Sequence, residues 1–174
     1  FRHPASFASS VSRLGWPRAP FLRQFLADPR LMQDHLEPFR TLIARYSSED
    51  TVASAAVLYG ALNTVLWKFV ESGQAAALHF ETLCRDPIGE LKQLYSDLSL
   101  PYDDEVRQAH SAACLASPKG EGEYHPHATI RNSLAMTDAW RNQLAPPDVS
   151  LVRDIWERFD IPLELLAKIL QQLA

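Results

Sequence analysis

Arg2 and Ser10 have the residue types and the spacing that suit the binding of an anionic group. Arg2 lies just before Pro4, and a proline at the first helical position predicts that a helix begins there. Within that helix Ser6, Ser10 and Arg13 recur at helical spacing and share one face. A helix start with an arginine and hydroxyl groups beside it favours a phosphate. An amphipathic helix with solvated serines explains the same pattern, so both interpretations stay open for this segment.

Residues 75–101 predict a strand, a short turn and a helix. The apolar run at 75–80 has no helical periodicity, which favours a strand of a covered parallel sheet. Glu81 follows at the carboxyl end of that strand, where we expect it to cap a neighbouring turn. Asp86 and Pro87 then predict the start of a helix.

Residues 129–144 form the third segment with recognisable chemistry. Arg131 follows residues 116–128, a stretch of glycines, prolines and charged residues that is typical of a loop. Such a loop is suited to movement, and Arg131 would close with it over a bound anion. Trp140 is expected to belong to the core.

In this order and spacing, the three segments resemble the carboxy-terminal part of bacterial sulfotransferases that use 3′-phosphoadenosine 5′-phosphosulfate (PAPS). The resemblance extends along the whole chain. It implies that Arg2 and Ser10 hold the 3′-phosphate of PAPS, and that Arg131 closes over the same group. Ser133, in the same loop, is assigned to the donor site with them.

The chain departs from the family's pattern at several of these positions. Phe80 stands where the family has a tyrosine, and Thr82 stands where it has an aspartate. In one branch of the family a lysine and a glycine follow the loop arginine, whereas this chain has Asn132 and Ser133. Arg131 would therefore carry more of the contact with the phosphate.

The resemblance implies an α/β protein with a P-loop NTPase-like sulfotransferase fold and a parallel sheet. This portion is expected to be predominantly α-helical, with one or two strands. Residues 1–174 would form a single sulfotransferase-like domain, in which residues 16–46 are a helical insertion. The implied reaction transfers a sulfuryl group from PAPS to a hydroxyl or amine acceptor.

No glycine-rich phosphate loop occurs in the sequence. The amino-terminal part that binds the phosphosulfate is therefore expected to be missing from these residues, and the catalytic base with it. We assign no catalytic residue and expect residues 1–174 to be inactive alone. The alternative is a non-catalytic helical interaction module that retains the sulfotransferase-like segments, and a nucleotide-dependent kinase is a third, weaker interpretation.

The amino-acid composition argues against some classes of binding partner. A net charge of −4 over 174 residues argues against nucleic acid, so an anionic ligand would be held by a few placed arginines. Cys84 and Cys114 have no metal-ligand spacing, and they indicate buried thiols in a reducing cytoplasm. His125 and His127 flank a proline without a clear third ligand, so no metal is expected. The sequence does not indicate the oligomeric state.

The remaining elements are helical. The uncharged run at 51–67 is too short and too interrupted for a membrane span, and it predicts a core helix that is capped by residues 48–50 and ends near Gly73. Two further helices are expected at 147–159 and 162–173.

Overall fold

The computed structural model describes residues 1–115, 134, 137–159 and 161. They form the helices α1 (Pro4–Arg13), α2 (Ala19–Ala27), α3 (Pro29–Leu31), α4 (Arg40–Arg45), α5 (Val52–Glu71), α6 (Phe80–Arg85), α7 (Pro87–Asp97), α8 (Asp104–Leu115) and α9 (Pro146–Trp156). A π-helical turn spans Met32–Leu36, and 3₁₀ turns span Glu37–Phe39 and Ala139–Asn142. The chain divides into unit 1, Phe1–Ala77 with Trp140–Ala174, and unit 2, Leu78–Ala139.

Helix α1 begins where its proline predicts. Pro4 occupies the first turn, and the imidazole Nδ1 of His3 accepts a hydrogen bond from the Ala5 N–H at 3.1 Å. The helix ends at Leu14, and Gly15 follows with a φ of 63°, a conformation that glycine adopts without strain. The predicted start at Pro4 is confirmed.

Helix α5 is the centre of unit 1, since both α1 and α9 pack against it. A capping box holds its start: the Ser54 N–H donates to Thr51 Oγ1 at 3.1 Å, and the Thr51 N–H donates to Ser54 Oγ at 2.8 Å. The helix is long and apolar enough to cross a membrane by length and composition, but 61% of its apolar window is buried within the protein. The prediction of a core helix ending near Gly73 is confirmed.

The predicted cap at residues 48–50 is wrong for α5. The carboxylate of Asp50 instead binds the start of α2, where its Oδ1 accepts from the N–H groups of Arg18 and Ala19, both at 2.7 Å. These two hydrogen bonds, that from Ala19 first, hold the pKa of Asp50 below its ordinary value. The error arose because a cap can serve a helix that precedes it in the sequence.

The predicted insertion at 16–46 contributes to the core of unit 1. Leu22, Met32, Leu36 and Ile43 are fully buried, and α2, α4 and the π-helical turn all contact α5. Residues 16–46 thus pack onto the central helix.

The described residues contain no β-strand, which contradicts the predicted α/β fold with a parallel sheet. Residues 75–79 are irregular, and α6 begins at Phe80. A strand needs a neighbouring strand to pair its N–H and C=O groups, and no described residue provides one. Periodicity alone also does not separate a short apolar strand from a helical turn. The predicted strand at 75–80 is therefore wrong, and so is the predicted sheet within the part of the chain that the structure describes.

Unit 2 contains helices α6 to α8, and two of them begin at an aspartate cap. Asp86 Oδ1 accepts from the Gly89 N–H at 3.0 Å, and Asp103 Oδ1 accepts from the Val106 N–H at 2.9 Å. Cys84 is buried and Cys114 is half-buried, and neither forms a disulfide, so burial is confirmed for Cys84 only. The helix predicted at 162–173 and the loop at 116–128 lie outside the described residues.

Gly60 leaves room on α5 for the ring of Phe159, which follows α9. A Cβ added at Gly60 would lie 2.2 Å from the ring of Phe159, which is 3% exposed. We expect Gly60→Ala to lower the free energy of unfolding by about 1 to 3 kcal/mol through overpacking, although alanine is the better helix former. Urea unfolding measures the loss. Combined with Phe159→Ala, the change should cost less than the sum of the two single changes, and strict additivity would contradict the close contact.

The Asp50 carboxylate should make stability depend on pH. Its folded pKa lies below the ordinary value of 3.8, so its stabilising effect is complete above pH 3.8 and disappears as the pH falls through the folded pKa. Asp50→Asn should therefore have a lower Tm than the unchanged protein at pH 7. The difference in Tm between the two proteins should disappear in acid. Thermal unfolding of both proteins between pH 7 and pH 3 tests this, with Glu49→Gln as the control for one lost negative charge.

Candidate functional site

Tyr59 fixes the backbone of Arg2 from the middle of α5. Its hydroxyl accepts from the Arg2 N–H at 2.7 Å and donates to the Arg2 C=O at 2.6 Å. The ring, 7% exposed, stacks between Phe7 at 4.4 Å and Trp156 at 5.3 Å between ring centroids. The residue that precedes α1 is thus tied to the core by both of its backbone polar groups.

The side chain of Arg2 lies along the polar face of α1. Its Nε donates to Ser6 Oγ at 2.7 Å, and Ser6 is 2% exposed. Ser10 lies one helical turn beyond Ser6 on the same face and is half-buried. A guanidinium carries five N–H donors in a planar fork, and the bond from Nε to Ser6 orients that fork relative to α1. Arg2, Ser6 and Ser10 form what we call the α1 polar face.

The first and third segments of the sequence meet at His3 and Trp140. Their rings stack with centroids 4.5 Å apart and planes within 7°, and both residues are 4% exposed. The guanidinium of Arg141 lies over the Trp140 ring at 4.7 Å. The Ser9 hydroxyl also hydrogen-bonds the side chain of Gln143. Segments far apart in the sequence therefore support one another around α1.

The structure describes two of the four predicted donor-site residues. Arg2 precedes α1 and Ser10 lies within it, whereas Arg131 and Ser133 lie outside the described residues. Ser6 and Tyr59 were not predicted as site residues. Ser6 is signalled by its position four residues from both Arg2 and Ser10, but no pattern in the sequence marks Tyr59.

Metal ligation finds no support in the part of the chain that the structure describes. No group of three or more His, Cys, Asp or Glu side chains converges there. His125 and His127 lie outside that part. In unit 2, Glu81 is 3% exposed and lies in the first turn of α6.

Tyr59→Phe should isolate the contribution of the hydroxyl, because phenylalanine preserves the ring between Phe7 and Trp156. Two partners of a buried hydroxyl are lost at once, so we expect the free energy of unfolding to fall by about 1 to 3 kcal/mol. Urea unfolding measures the change. Tyr46→Phe, at a half-buried tyrosine, is the matched control, and an equal loss in both variants would contradict a special role of Tyr59.

Comparisons with models of known protein families, with curated proteins and with solved structures found no match to this chain.

Proposed function

We propose that this chain holds the 3′-phosphate of PAPS on the α1 polar face and serves a sulfotransferase. The observation that carries the proposal is the double anchoring of Arg2. Tyr59 fixes its backbone on both sides, and Ser6 orients its guanidinium along the helix face that also bears Ser10. An arginine held in this way is preorganised for an anion and loses little conformational entropy on binding.

The charges of α1 support the same ligand. Its first turn contains no acidic residue, so α1 itself places no carboxylate at the positive end of its dipole. Charge-assisted hydrogen bonds from arginine to phosphate are about twice as strong as neutral ones, and the Ser10 hydroxyl would add a further donor. With a net charge of −4, binding depends on such placed groups and not on the overall field.

In the proposed reaction the 3′-phosphate is remote from the sulfuryl group that moves. Its binding energy positions PAPS, while an acceptor hydroxyl or amine attacks the sulfur and the adenosine bisphosphate leaves. Arg131 and Ser133 belong to the proposal as further contacts with the donor. We propose no catalytic residue among residues 1–174.

A helical interaction module is the second candidate, and the surface of α5 favours it. Leu62, Leu66 and Phe69 are 38%, 54% and 42% exposed, and their spacing places them on one stripe of the helix. Exposed apolar stripes of this kind mark contact surfaces between proteins. The two candidates differ in whether the chain recognises a 3′-phosphate.

The first test of the donor site is Arg2→Ala in the full-length protein. We expect the affinity for 3′-phosphoadenosine 5′-phosphate to fall about 10- to 150-fold, the scale of about 1.5 to 3 kcal/mol for one charged hydrogen bond. Ser10→Ala should lower the same affinity by a smaller factor. Calorimetric titration measures both, and Arg30→Ala, which removes an exposed arginine of α3, is the control for net charge.

Adenosine 5′-phosphate, which lacks the 3′-phosphate, provides the matched ligand. Its affinity should be nearly the same for the Arg2 variant and for the unchanged protein. Equal losses for both nucleotides would contradict the assignment, and no binding of either nucleotide would favour the interaction module.

The second test concerns turnover. Residues 1–174 alone should form no sulfated product from radiolabelled PAPS and a panel of hydroxyl and amine acceptors. Each missing donor that stabilises the leaving phosphate costs about 100-fold or more in rate. The full-length protein is the positive control, and product above the background without protein would show that the catalytic groups lie within these residues.

A further inference from the structure

Unit 2 has two exposed leucines where α7 ends and the chain turns toward α8. Leu98 is 58% exposed and Leu100 is 50% exposed. They belong to residues 96–105, which we call the acidic leucine turn. Single exposed apolar residues are ordinary on a protein surface, but these two lie two positions apart in one turn. Each keeps about half of its surface in water, so its burial against a partner would stabilise a complex.

Backbone hydrogen bonds fix the conformation of this turn. The Leu100 N–H donates to the Tyr95 C=O at 2.8 Å, and the Ser99 N–H donates to the Ser96 C=O at 3.0 Å. This is the Schellman arrangement that ends many helices, and the φ of 56° at Ser99 is the left-handed conformation that it requires. The residue at the position of Leu100 frequently packs back onto the helix in such motifs, whereas Leu100 stays half exposed.

Aromatic contacts attach the other end of the turn to α8. The ring of Tyr102 packs edge-on to Tyr95 of α7, with centroids 5.2 Å apart, and lies 5.7 Å from the ring of His110 in α8. The Tyr102 hydroxyl also lies 3.3 Å from His110 Nδ1. The two leucines are thus held between two anchored ends. A surface that is ordered before binding loses little conformational entropy when a partner binds.

The charges around the two leucines have one sign. Between Lys92 and Arg107 the sequence has four carboxylates and no basic residue. The four are exposed, and they are Asp97, Asp103, Asp104 and Glu105. Arg107 pairs with Asp104 at 3.2 Å, and the balance of the turn stays negative. Apolar side chains beside carboxylates favour a partner that is both apolar and basic, because a like-charged partner is repelled.

We propose that the acidic leucine turn binds a basic amphipathic helix of another protein. The apolar stripe of that helix covers Leu98 and Leu100, and the lysines or arginines beside the stripe lie against the carboxylates. Nucleic acid and anionic lipid surfaces have the wrong charge for this surface. The turn belongs to unit 2, so the inference is independent of the donor site on α1, and either can fail without the other.

The probe is a fluorescein-labelled peptide of leucine and lysine, with its leucines at the spacing of one helix stripe. It is titrated with the whole protein while fluorescence anisotropy is recorded. We expect saturable binding that weakens as salt is raised, because exposed charges are screened. Leu98→Ser and Leu100→Ser should each weaken binding about four- to tenfold, the scale for burying the exposed half of one leucine. Both side chains are exposed, so both variants should fold.

Leu115→Ser is the matched control for the leucines. Leu115 is 57% exposed at the end of α8, and the 12 residues of that helix place it about 16 Å from the start of α8. Its replacement should leave peptide binding unchanged. For the charges, Glu105→Gln should weaken binding about two- to fivefold, as exposed charge pairs do. Glu90→Gln, in the first turn of α7, removes an equal charge farther from the leucines and should weaken binding less.

Four results would overturn the proposal. The first is the absence of saturable binding. The second is equal affinity in Leu98→Ser, Leu100→Ser and Leu115→Ser, because the contact would then not involve the turn. The third is equally tight binding of a leucine and glutamate peptide of the same pattern, which would remove the carboxylates from recognition. The fourth is self-association of the protein in sedimentation that Leu98→Ser and Leu100→Ser abolish, because a second copy of the chain would then occupy the turn.

Discussion

The packing of Tyr59 in the middle of α5 is the contact on which the rest of unit 1 depends. The ring stacks on Phe7 from α1 and on Trp156 from α9, so one side chain joins all three helices. Aromatic pairs of this kind contribute about 0.5 to 1.5 kcal/mol each beyond their buried area. The hydroxyl at the edge of the ring then holds Arg2. Core packing and the position of the candidate phosphate ligand are therefore set by the same residue.

The sequence predicted helices well where local chemistry determines them. Pro4 marks the start of α1, and the long uncharged run marks α5, because proline geometry and apolar composition act within a few residues. The strand at 75–80 was wrong because a strand is defined by a partner, and the described residues offer none. The cap at Asp50 was misassigned for a related reason: its hydrogen bonds go to residues 31 and 32 positions earlier in the chain.

In the candidate site, too, the sequence predicted residues through local spacing and missed residues that act through tertiary contacts. Arg2 and Ser10 were predicted because their residue types and their spacing are visible in the sequence. Tyr59 is 57 residues from Arg2, and no periodicity connects the two. The stacking of His3 on Trp140 joins two segments that the sequence analysis had treated as separate parts of one site. Both of these contacts are tertiary, so no local pattern in the sequence predicts them.

Unit 1 is built from two stretches of chain, with the whole of unit 2 between them in the sequence. On the ribosome, α1 to α5 emerge long before α9 does. Until α9 is synthesised, one face of Tyr59 and the space beside Gly60 have no cover, because Trp156 and Phe159 provide it. Domains fold as units during synthesis, so unit 1 is expected to close late, and its nascent first stretch exposes apolar surface for longer than a continuous domain of equal size. Packing of the second stretch, which contains α9, is therefore the step that completes the folding of unit 1.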